Sequence, residues 1–188
     1  MSKQQSRIGA KLRVPRLTRG SDMGVNRVRT HLTERGWAGE ILEFDDSSAT
    51  VELAAQKVGV DSQRIAKTLG FYDPEAPEGA VLIVAAGDAK VNGGMFKRQF
   101  GGKPRMLSRD DVLAFTGHPI GGVCPFANPT QTRVFLDESL RRFDSVFPAA
   151  GSATSAVELS IDALETLSGS VQWVDVTTQW RQEEPATA

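Results

Sequence analysis

The sequence has few of the residues on which most enzyme signatures depend. Its 188 residues include one cysteine, Cys124, and two histidines, His31 and His118. A single cysteine excludes an internal disulfide framework and a zinc site built from several thiolates. The two histidines lie far apart in the chain and belong to no metal-binding motif, so we expect no metal ion.

Nucleotide-binding and hydrolase motifs are missing as well. The sequence contains no G-x-G-x-x-G, no G-x-x-x-x-G-K-[ST] and no G-x-S-x-G, which excludes the usual phosphate cradles and the nucleophile elbow. We therefore expect no cofactor. The longest apolar run, Ala80–Ala86, is far shorter than the roughly 20 residues of a membrane-spanning helix. No apolar segment follows the N-terminal charges, and we expect a cytoplasmic protein without a membrane partner.

The remaining composition is typical of a globular protein. Hydrophobic residues make up 40% and charged residues 24% of the chain, which is enough apolar content for a core. The net charge is −1, yet residues 1–30 contain eight lysines or arginines and one acid, Asp22. Such a segment either attracts a polyanion such as RNA or is a solvated leader. We expect a flexible basic arm over 1–20, one domain over 21–180 and a tail over 181–188.

Helices and strands alternate irregularly along the predicted domain. A first helix begins at Ser21 or Asp22, and four later positions have an N-cap side chain before a helical stretch: Thr50, Asn92, Ser108 and Ser160. Apolar or alternating segments predict strands at 40–44, 65–72, 80–86, 105–107, 133–136, 145–149 and 171–176. The continuous apolar run 80–86 is typical of a central strand that is covered on both faces. The order of elements indicates a mixed α/β domain with a curled sheet.

Lys67 is the first residue that suggests chemistry. In a strand over 65–72 it shares one face with Leu69 and Phe71, because side chains alternate along a strand. A lysine on an apolar face loses hydration free energy unless its charge has a partner. It is therefore either a snorkelling lysine with its ammonium in water, or a cation in a cleft that grips a phosphate or polarises an ester carbonyl.

The loop 117–126 is the second such feature. Adjacent Gly121 and Gly122 allow backbone N–H groups to approach a ligand closely and to form an anion-binding nest; a rigid surface connection is the competing interpretation. Cys124 and His118 in the same loop are candidates for a nucleophile and its base, although a free cysteine is most often a small buried hydrophobe. Asp137, at a strand end, is either a ligand contact or the cap of the next turn.

Four motifs follow one another along the chain. They are the stretch 50–60 followed by Ile65-Ala66-Lys67-Thr68-Leu69, the strand that ends at 86–88, the loop 121–125 with its G-x-x-x-P pattern, and the segments 135–140 and 149–152. Together they resemble the YbaK/EbsC family of free-standing aminoacyl-tRNA deacylases. The family is related to the editing domain of bacterial prolyl-tRNA synthetase. The resemblance extends over roughly residues 22–178, nearly a whole domain.

This resemblance implies a fold, an activity and a site. The fold would be the family's mixed sheet, curled towards a barrel, with helices packed outside. The activity would be trans-editing, the hydrolysis of the ester that joins a wrong amino acid to the terminal adenosine, with Cys- or Ala-tRNA(Pro) as substrate. Lys67 would be the catalytic lysine, and Gly151 and Ser152 would lie on the wall opposite the loop. The substrate-binding residues would be Thr68, Gly121, Gly122, Val123, Cys124, Pro125, Asp137, Gly151 and Ser152.

The expected partners are the acceptor end of a mischarged tRNA and a prolyl-tRNA synthetase, and DNA is not expected.

Two other functions stay open on the sequence alone. A non-catalytic module that binds aminoacyl-tRNA or a synthetase would release no amino acid. A Schiff-base enzyme would use a Lys67 amine of lowered pKa on a carbonyl substrate. The pI of about 6.1 indicates no globally basic surface, so we expect modest affinity for tRNA.

Overall fold

A six-stranded mixed sheet forms the centre of the structure, a computed structural model that describes residues 21–181. The strands are β1 (Leu42–Glu43), β2 (Ile65–Tyr72), β3 (Ala80–Ala86), β4 (Lys90–Val91), β5 (Thr132–Asp137), β6 (Ser145–Pro148), β7 (Ser155–Ala156), β8 (Leu159–Ser160), β9 (Gln172–Val174) and β10 (Thr177–Thr178). The sheet has the order β8-β6-β2-β3-β5-β9, and β1–β7 and β4–β10 form two small ladders outside it. The sheet curls into a half-barrel with helices outside, which confirms the predicted fold class.

β3 is the central strand of this sheet, and all seven of its residues are fully buried. It pairs antiparallel with β2 from Ala66↔Ala86 to Tyr72↔Ala80, and parallel with β5. A strand that is covered on both faces requires an uninterrupted apolar run. The predicted central strand is therefore confirmed.

Five helices lie in the described part of the chain: α1 (Ser21–Glu34), α2 (Val51–Val58), α3 (Gly93–Phe100), α4 (Arg109–Thr116) and α5 (Ile161–Ser168). The helices after α1 begin at the predicted caps, where each side chain accepts a hydrogen bond from a backbone N–H two or three residues further on. Such bonds satisfy N–H groups that have no partner inside the helix. Local side-chain chemistry thus sets where these helices begin.

The outer edge of β2 has two partners with a gap between them. Ile65 and Ala66 pair with β6. At the other end, the N–H of Leu107 donates to the carbonyl of Gly70 over 3.0 Å, and the N–H of Tyr72 donates to the carbonyl of Arg105 over 2.9 Å. The predicted strand 105–107 is therefore a short bridge to β2. Residues 67–69, between the two partners, border an opening at the edge of the sheet.

The predicted basic arm over 1–20 and residues 182–188 of the predicted tail over 181–188 lie outside the described residues. Within residues 21–181, the helices are too short or too polar to cross a lipid bilayer.

Candidate active site

A cavity of about 510 Å³ lies at the gap in the edge of β2. Its walls come from α2 and the residues before it, from β2, from the bridge 105–107, from α4 with the loop after it, from β6 with the residue Ala149 after it, and from β7. They are mostly apolar and rich in alanine and glycine. The polar side chains among them are Ser48, Thr50, Lys67, Thr68, Thr116 and Ser155. A largely apolar cavity with a few convergent polar groups is what a small-molecule binding site requires.

Lys67 is the one titratable side chain among the described residues that line this cavity. Its Nζ donates a hydrogen bond to the carbonyl oxygen of Gly87 over 2.9 Å. The side chain is half-buried. Burial lowers the pKa of Lys67, and the nearby carboxylate of Asp88 opposes that shift. The ammonium is thus held at the cavity wall by a fixed backbone acceptor.

The carbonyl group of Gly87, which accepts the hydrogen bond from Lys67, is itself fixed because Gly87 lies in a tightly packed turn after β3. A Cβ on Gly87 would lie 1.9 Å from the carbonyl oxygen of Ser62, so only glycine fits. The N–H of Gly87 donates to the carbonyl of Gln63 over 3.2 Å. From the sequence, Gly87 was predicted only to end a strand. The strand end 86–88 belongs to the motifs of the family resemblance, but the role of Gly87 as an anchor of Lys67 depends on contacts with residues distant in the chain.

The segment 137–142 holds this turn from the other side. The N–H of Ala86 donates to Oγ of Ser139 over 3.1 Å, and Arg142 forms two hydrogen bonds with the carboxylate of Asp88, the shorter one 2.6 Å long. Asp137 is fully buried and accepts from the N–H groups of Ser139 and Val176. The structure thus places Asp137 away from the cavity, as the cap of the 3-10 helix Glu138–Arg142 that contacts the turn at Gly87.

Thr68 presents polar atoms to the gap. Backbone groups of alternate residues point to the same edge of a strand, so the N–H and C=O of Thr68 face the same side as those of Gly70 and Tyr72. Within the described chain, no backbone group of β6 or of the bridge 105–107 pairs with them. The buried hydroxyl oxygen of Thr68 also has no hydrogen-bond partner among the described residues. Buried polar groups of this kind are costly unless a ligand or water satisfies them.

The glycine-rich loop contributes Ile120, Gly121 and Val123 to the cavity wall. Gly121 has a φ of +85°, a conformation that favours glycine, and a Cβ there would lie 2.8 Å from Cβ of Ala153. Three other predicted site residues of the loop face away from the cavity and are buried: Gly122, Cys124 and Pro125. The loop therefore lines the cavity with three of its residues and buries three others against the rest of the fold.

Gly151 and Ser152 lie behind the loop and not on the opposite wall. A Cβ on Gly122 would lie 2.7 Å from the backbone of Ser152, so the two segments are in close backbone contact. Ser152 Oγ bonds to Oγ of Ser155 over 2.9 Å, and Ser155 is the residue that reaches the cavity. These two predicted residues support the wall from outside.

Cys124 and His118 lie close together, with 3.4 Å between Sγ and Nε2. However, both are fully buried, and Nε2 of His118 is 2.7 Å from the carbonyl oxygen of Phe126, so that nitrogen carries a proton and donates it. Burial raises the pKa of Cys124 to about 12 and lowers that of His118 to about 4. At neutral pH the pair is therefore a thiol beside a neutral imidazole. The Nε2 atom that faces the thiol already carries a proton, so the two side chains cannot act as nucleophile and base.

Comparison with known proteins agrees with this geometry. A family model described as an aminoacyl-tRNA editing domain matches residues 45–167, more than half of the chain. The chain is 48% identical over 158 residues to the uncharacterised protein YwhH of Bacillus subtilis, which covers 84% of this chain and 99% of YwhH. It is 26% identical over 137 residues to EbsC of Enterococcus faecalis, a proposed Cys-tRNA(Pro)/Cys-tRNA(Cys) deacylase, which covers 72% of this chain and 82% of EbsC.

A solved structure shows the same fold. The crystal structure of a proposed trans-editing enzyme for prolyl-tRNA synthetase matches with a TM-score of 0.75 and 30% identity, over 82% of this chain and 97% of that one. Fold, cavity and family model together define an aminoacyl-tRNA editing domain with the activity of an aminoacyl-tRNA deacylase. The chain belongs to the YbaK/EbsC family of such domains.

Proposed function

We propose that this protein is a trans-editing hydrolase that removes cysteine or alanine from mischarged tRNA(Pro) by cleaving the ester at the terminal adenosine. The observation that carries the proposal is the position of Lys67, whose ammonium is anchored at the wall of the cavity. The family supports the class of reaction. The descriptions of EbsC and of the structural neighbour support proline tRNA as the carrier.

Lys67 supplies the charge that the reaction needs. An ammonium has three N–H donors, and the carbonyl of Gly87 accepts one of them. The other two are available to a substrate. A fixed ammonium either stabilises the oxyanion of a tetrahedral intermediate or holds the terminal phosphate so that the ester lies in place. We propose that the free backbone N–H and C=O of Thr68 contact the amino-acid part of the substrate.

The attacking group comes from water or from the substrate itself. No histidine, carboxylate or cysteine of the described chain lines the cavity, so the residues present supply no general base. In the hydrolysis, a water oxygen bonds to the ester carbon, and the bond from that carbon to the ribose oxygen breaks. A proton of the water ends on the ribose oxygen, and the products are a free amino acid and a tRNA with its terminal hydroxyl restored. The protein positions the ester and stabilises the developing negative charge.

The cavity wall favours a small side chain on the amino acid. Many of the wall residues are alanine or glycine, and apart from Lys67 they offer no charge to compensate the desolvation of a charged side chain. A difference of one methylene in such a wall changes binding by only ~1–3 kcal/mol. We therefore expect cysteine and alanine to be separated by about 200-fold at most, and charged amino acids to be excluded.

A deacylation assay with the full chain tests the proposed function. The substrates are tRNA(Pro) charged with cysteine, alanine, serine or proline, together with Cys-tRNA(Cys). We expect cysteine or alanine to leave tRNA(Pro) at least ~10 times faster than proline. Equal release of proline would contradict editing, and binding of all the tRNAs without release would favour the non-catalytic module. Addition of prolyl-tRNA synthetase then shows whether it increases the rate, as expected of a partner.

Replacing Cys124 by alanine is expected to leave kcat of deacylation within about twofold of the unchanged protein, because the thiol is buried and protonated. The free energy of unfolding falls by ~1 kcal/mol, because the smaller side chain leaves a cavity in the core. Deacylation rates and urea denaturation measure the two effects. A large loss of activity in a folded Cys124→Ala protein would show instead that the thiol takes part in the reaction.

A further inference from the structure

Six cations of the described structure form no ion pair and donate no hydrogen bond to any described residue, and all six lie between residues 90 and 109. Other lysines and arginines of residues 21–181 are engaged. Seven of them pair with carboxylates, and Arg27, Arg35 and Lys67 donate hydrogen bonds. The six exposed cations that remain are Lys90, Lys97, Arg98, Lys103, Arg105 and Arg109. We call them the basic surface.

The basic surface contains no acid of its own, and its nearest acids in the chain are Asp88 before it and Asp110 and Asp111 after it. Residues 89–109 contain no aspartate and no glutamate, although the whole chain has a net charge of −1. Like charges gathered in one segment repel one another, and an anionic ligand relieves that repulsion. The overall pI of about 6.1 conceals this local excess, because acids elsewhere in the chain offset it.

Both ends of this segment adjoin the cavity. Lys90 follows the turn at Gly87 that anchors Lys67. At the other end, Met106 and Leu107 line the cavity, and Arg105 and Arg109 flank them. The Arg105 guanidinium lies 4.2 Å from the centre of the Tyr72 ring, at the end of β2 that pairs with the bridge 105–107.

α3 connects these two ends and presents cations on its outer side. Phe96 and Phe100 of this helix are buried in the core, whereas Lys97 and Arg98 are exposed. Lys103 follows the end of the helix and is exposed as well. The helix therefore uses its apolar side for the fold and leaves its charged side unengaged.

We propose that the basic surface binds the phosphate backbone of the acceptor stem of the tRNA whose 3′ end enters the cavity. The proposal rests on the proposed function, because a nucleotide in the cavity is covalently joined to that stem. Its phosphates must then pass the rim of the cavity, and Arg105 and Arg109 flank the segment 106–107 that lines it. Lysine and arginine contacts to phosphate fix the position of a nucleic acid without reading its sequence. The basic surface would thus position the tRNA, and the reaction would take place in the cavity.

A triple variant tests the basic surface without touching the cavity. Lys97→Gln, Arg98→Gln and Lys103→Gln are combined, and none of these residues lines the cavity. The matched control combines Arg29→Gln, Lys57→Gln and Arg181→Gln, which removes the same charge from cations that pair with carboxylates elsewhere. Thermal denaturation verifies that both variants fold. The readout is Kd for uncharged tRNA at several salt concentrations, so it does not depend on catalysis.

The basic-surface variant is expected to bind tRNA roughly tenfold or more weakly, with a slope of log Kd against log salt smaller by about 2. The control variant stays within about twofold. On an aminoacylated CCA trinucleotide, too short to reach the stem contacts, the basic-surface variant keeps the kcat/KM of the unchanged protein.

Three outcomes would overturn the proposal: an unchanged Kd for tRNA, an equal loss in the control variant, or an equal loss of activity on the CCA substrate. Weakened binding to prolyl-tRNA synthetase with unchanged tRNA binding would assign the surface to a protein partner and overturn it as well. If the unchanged protein deacylates no tRNA while the basic-surface variant still loses RNA affinity, the proposed function fails and the surface stands.

Discussion

Replacing Lys67 by alanine is expected to lower kcat/KM for deacylation by roughly 10²–10³-fold, the usual cost of removing a group that stabilises a developing oxyanion. Lys67 is the sole charged side chain at the cavity wall in the described chain, so no neighbour replaces it. The protein stays folded, with its free energy of unfolding changed by about 1 kcal/mol or less, because the side chain is only half-buried. Deacylation rates and thermal denaturation of the same preparations measure both effects.

Two further variants sharpen this test. Lys57→Ala removes another lysine, one on α2 that pairs with Asp46 outside the cavity, and it should retain full activity. Lys67→Arg keeps the charge but replaces a compact ammonium with a planar guanidinium, so its activity should stay well below that of the unchanged protein. Full activity of a folded Lys67→Ala protein would refute the site assignment. A borohydride-trapped adduct on Lys67 would favour the Schiff-base enzyme instead.

Replacing Gly87 by alanine is expected to impair both stability and activity. The new Cβ would lie 1.9 Å from the carbonyl oxygen of Ser62 and 2.7 Å from Cγ1 of Val51, so the turn must shift. Forced overpacking of this kind costs ~1–3 kcal/mol. The shift moves the carbonyl that holds Lys67, and a misplaced ammonium should lower kcat/KM by at least ~10-fold. Urea denaturation and deacylation assays measure the two losses.

Gly93→Ala is the matched control. A Cβ at Gly93 would contact only the ring of Pro104, at 3.9 Å. Gly93 opens α3, and alanine there should leave stability unchanged or raise it by up to ~1 kcal/mol. A double variant that combines Gly87→Ala with Lys67→Ala shows whether Gly87 acts through Lys67. If Gly87 works through Lys67, the double variant loses no more activity than Lys67→Ala alone. Additive losses would contradict the anchoring role.

The secondary structure was largely predictable, because it depends on short-range signals. Thr50 and Ser160 cap helices through bonds that span three residues, and the apolar run 80–86 is sufficient to identify a central strand. Four two-residue strands were not predicted: β4, β7, β8 and β10. Pairs of residues carry no periodicity, and these strands exist because distant segments are brought alongside them.

The candidate site was predictable only in part. The sequence pointed to Lys67, Thr68, Gly121 and Val123, and the structure brings these four to one cavity. It also pointed to Asp137, which caps a buried turn, and to Gly151, which packs behind the loop. A motif identifies neighbours in the chain but not the direction in which each side chain faces. The functional roles of the site residues stay predictions until the variants are measured.

The sequence by itself determined the helices, the central strands and the family, since capping, alternation and motif order are properties of residues close together in the chain. Only the tertiary structure decided that the edge of β2 opens at residues 67–69, that Gly87 holds the ammonium of Lys67, and that six cations of residues 90–109 form no ion pair. Each of these depends on distances between segments far apart in sequence. Such distances follow from the packing of the whole sheet and its helices, which no local pattern encodes.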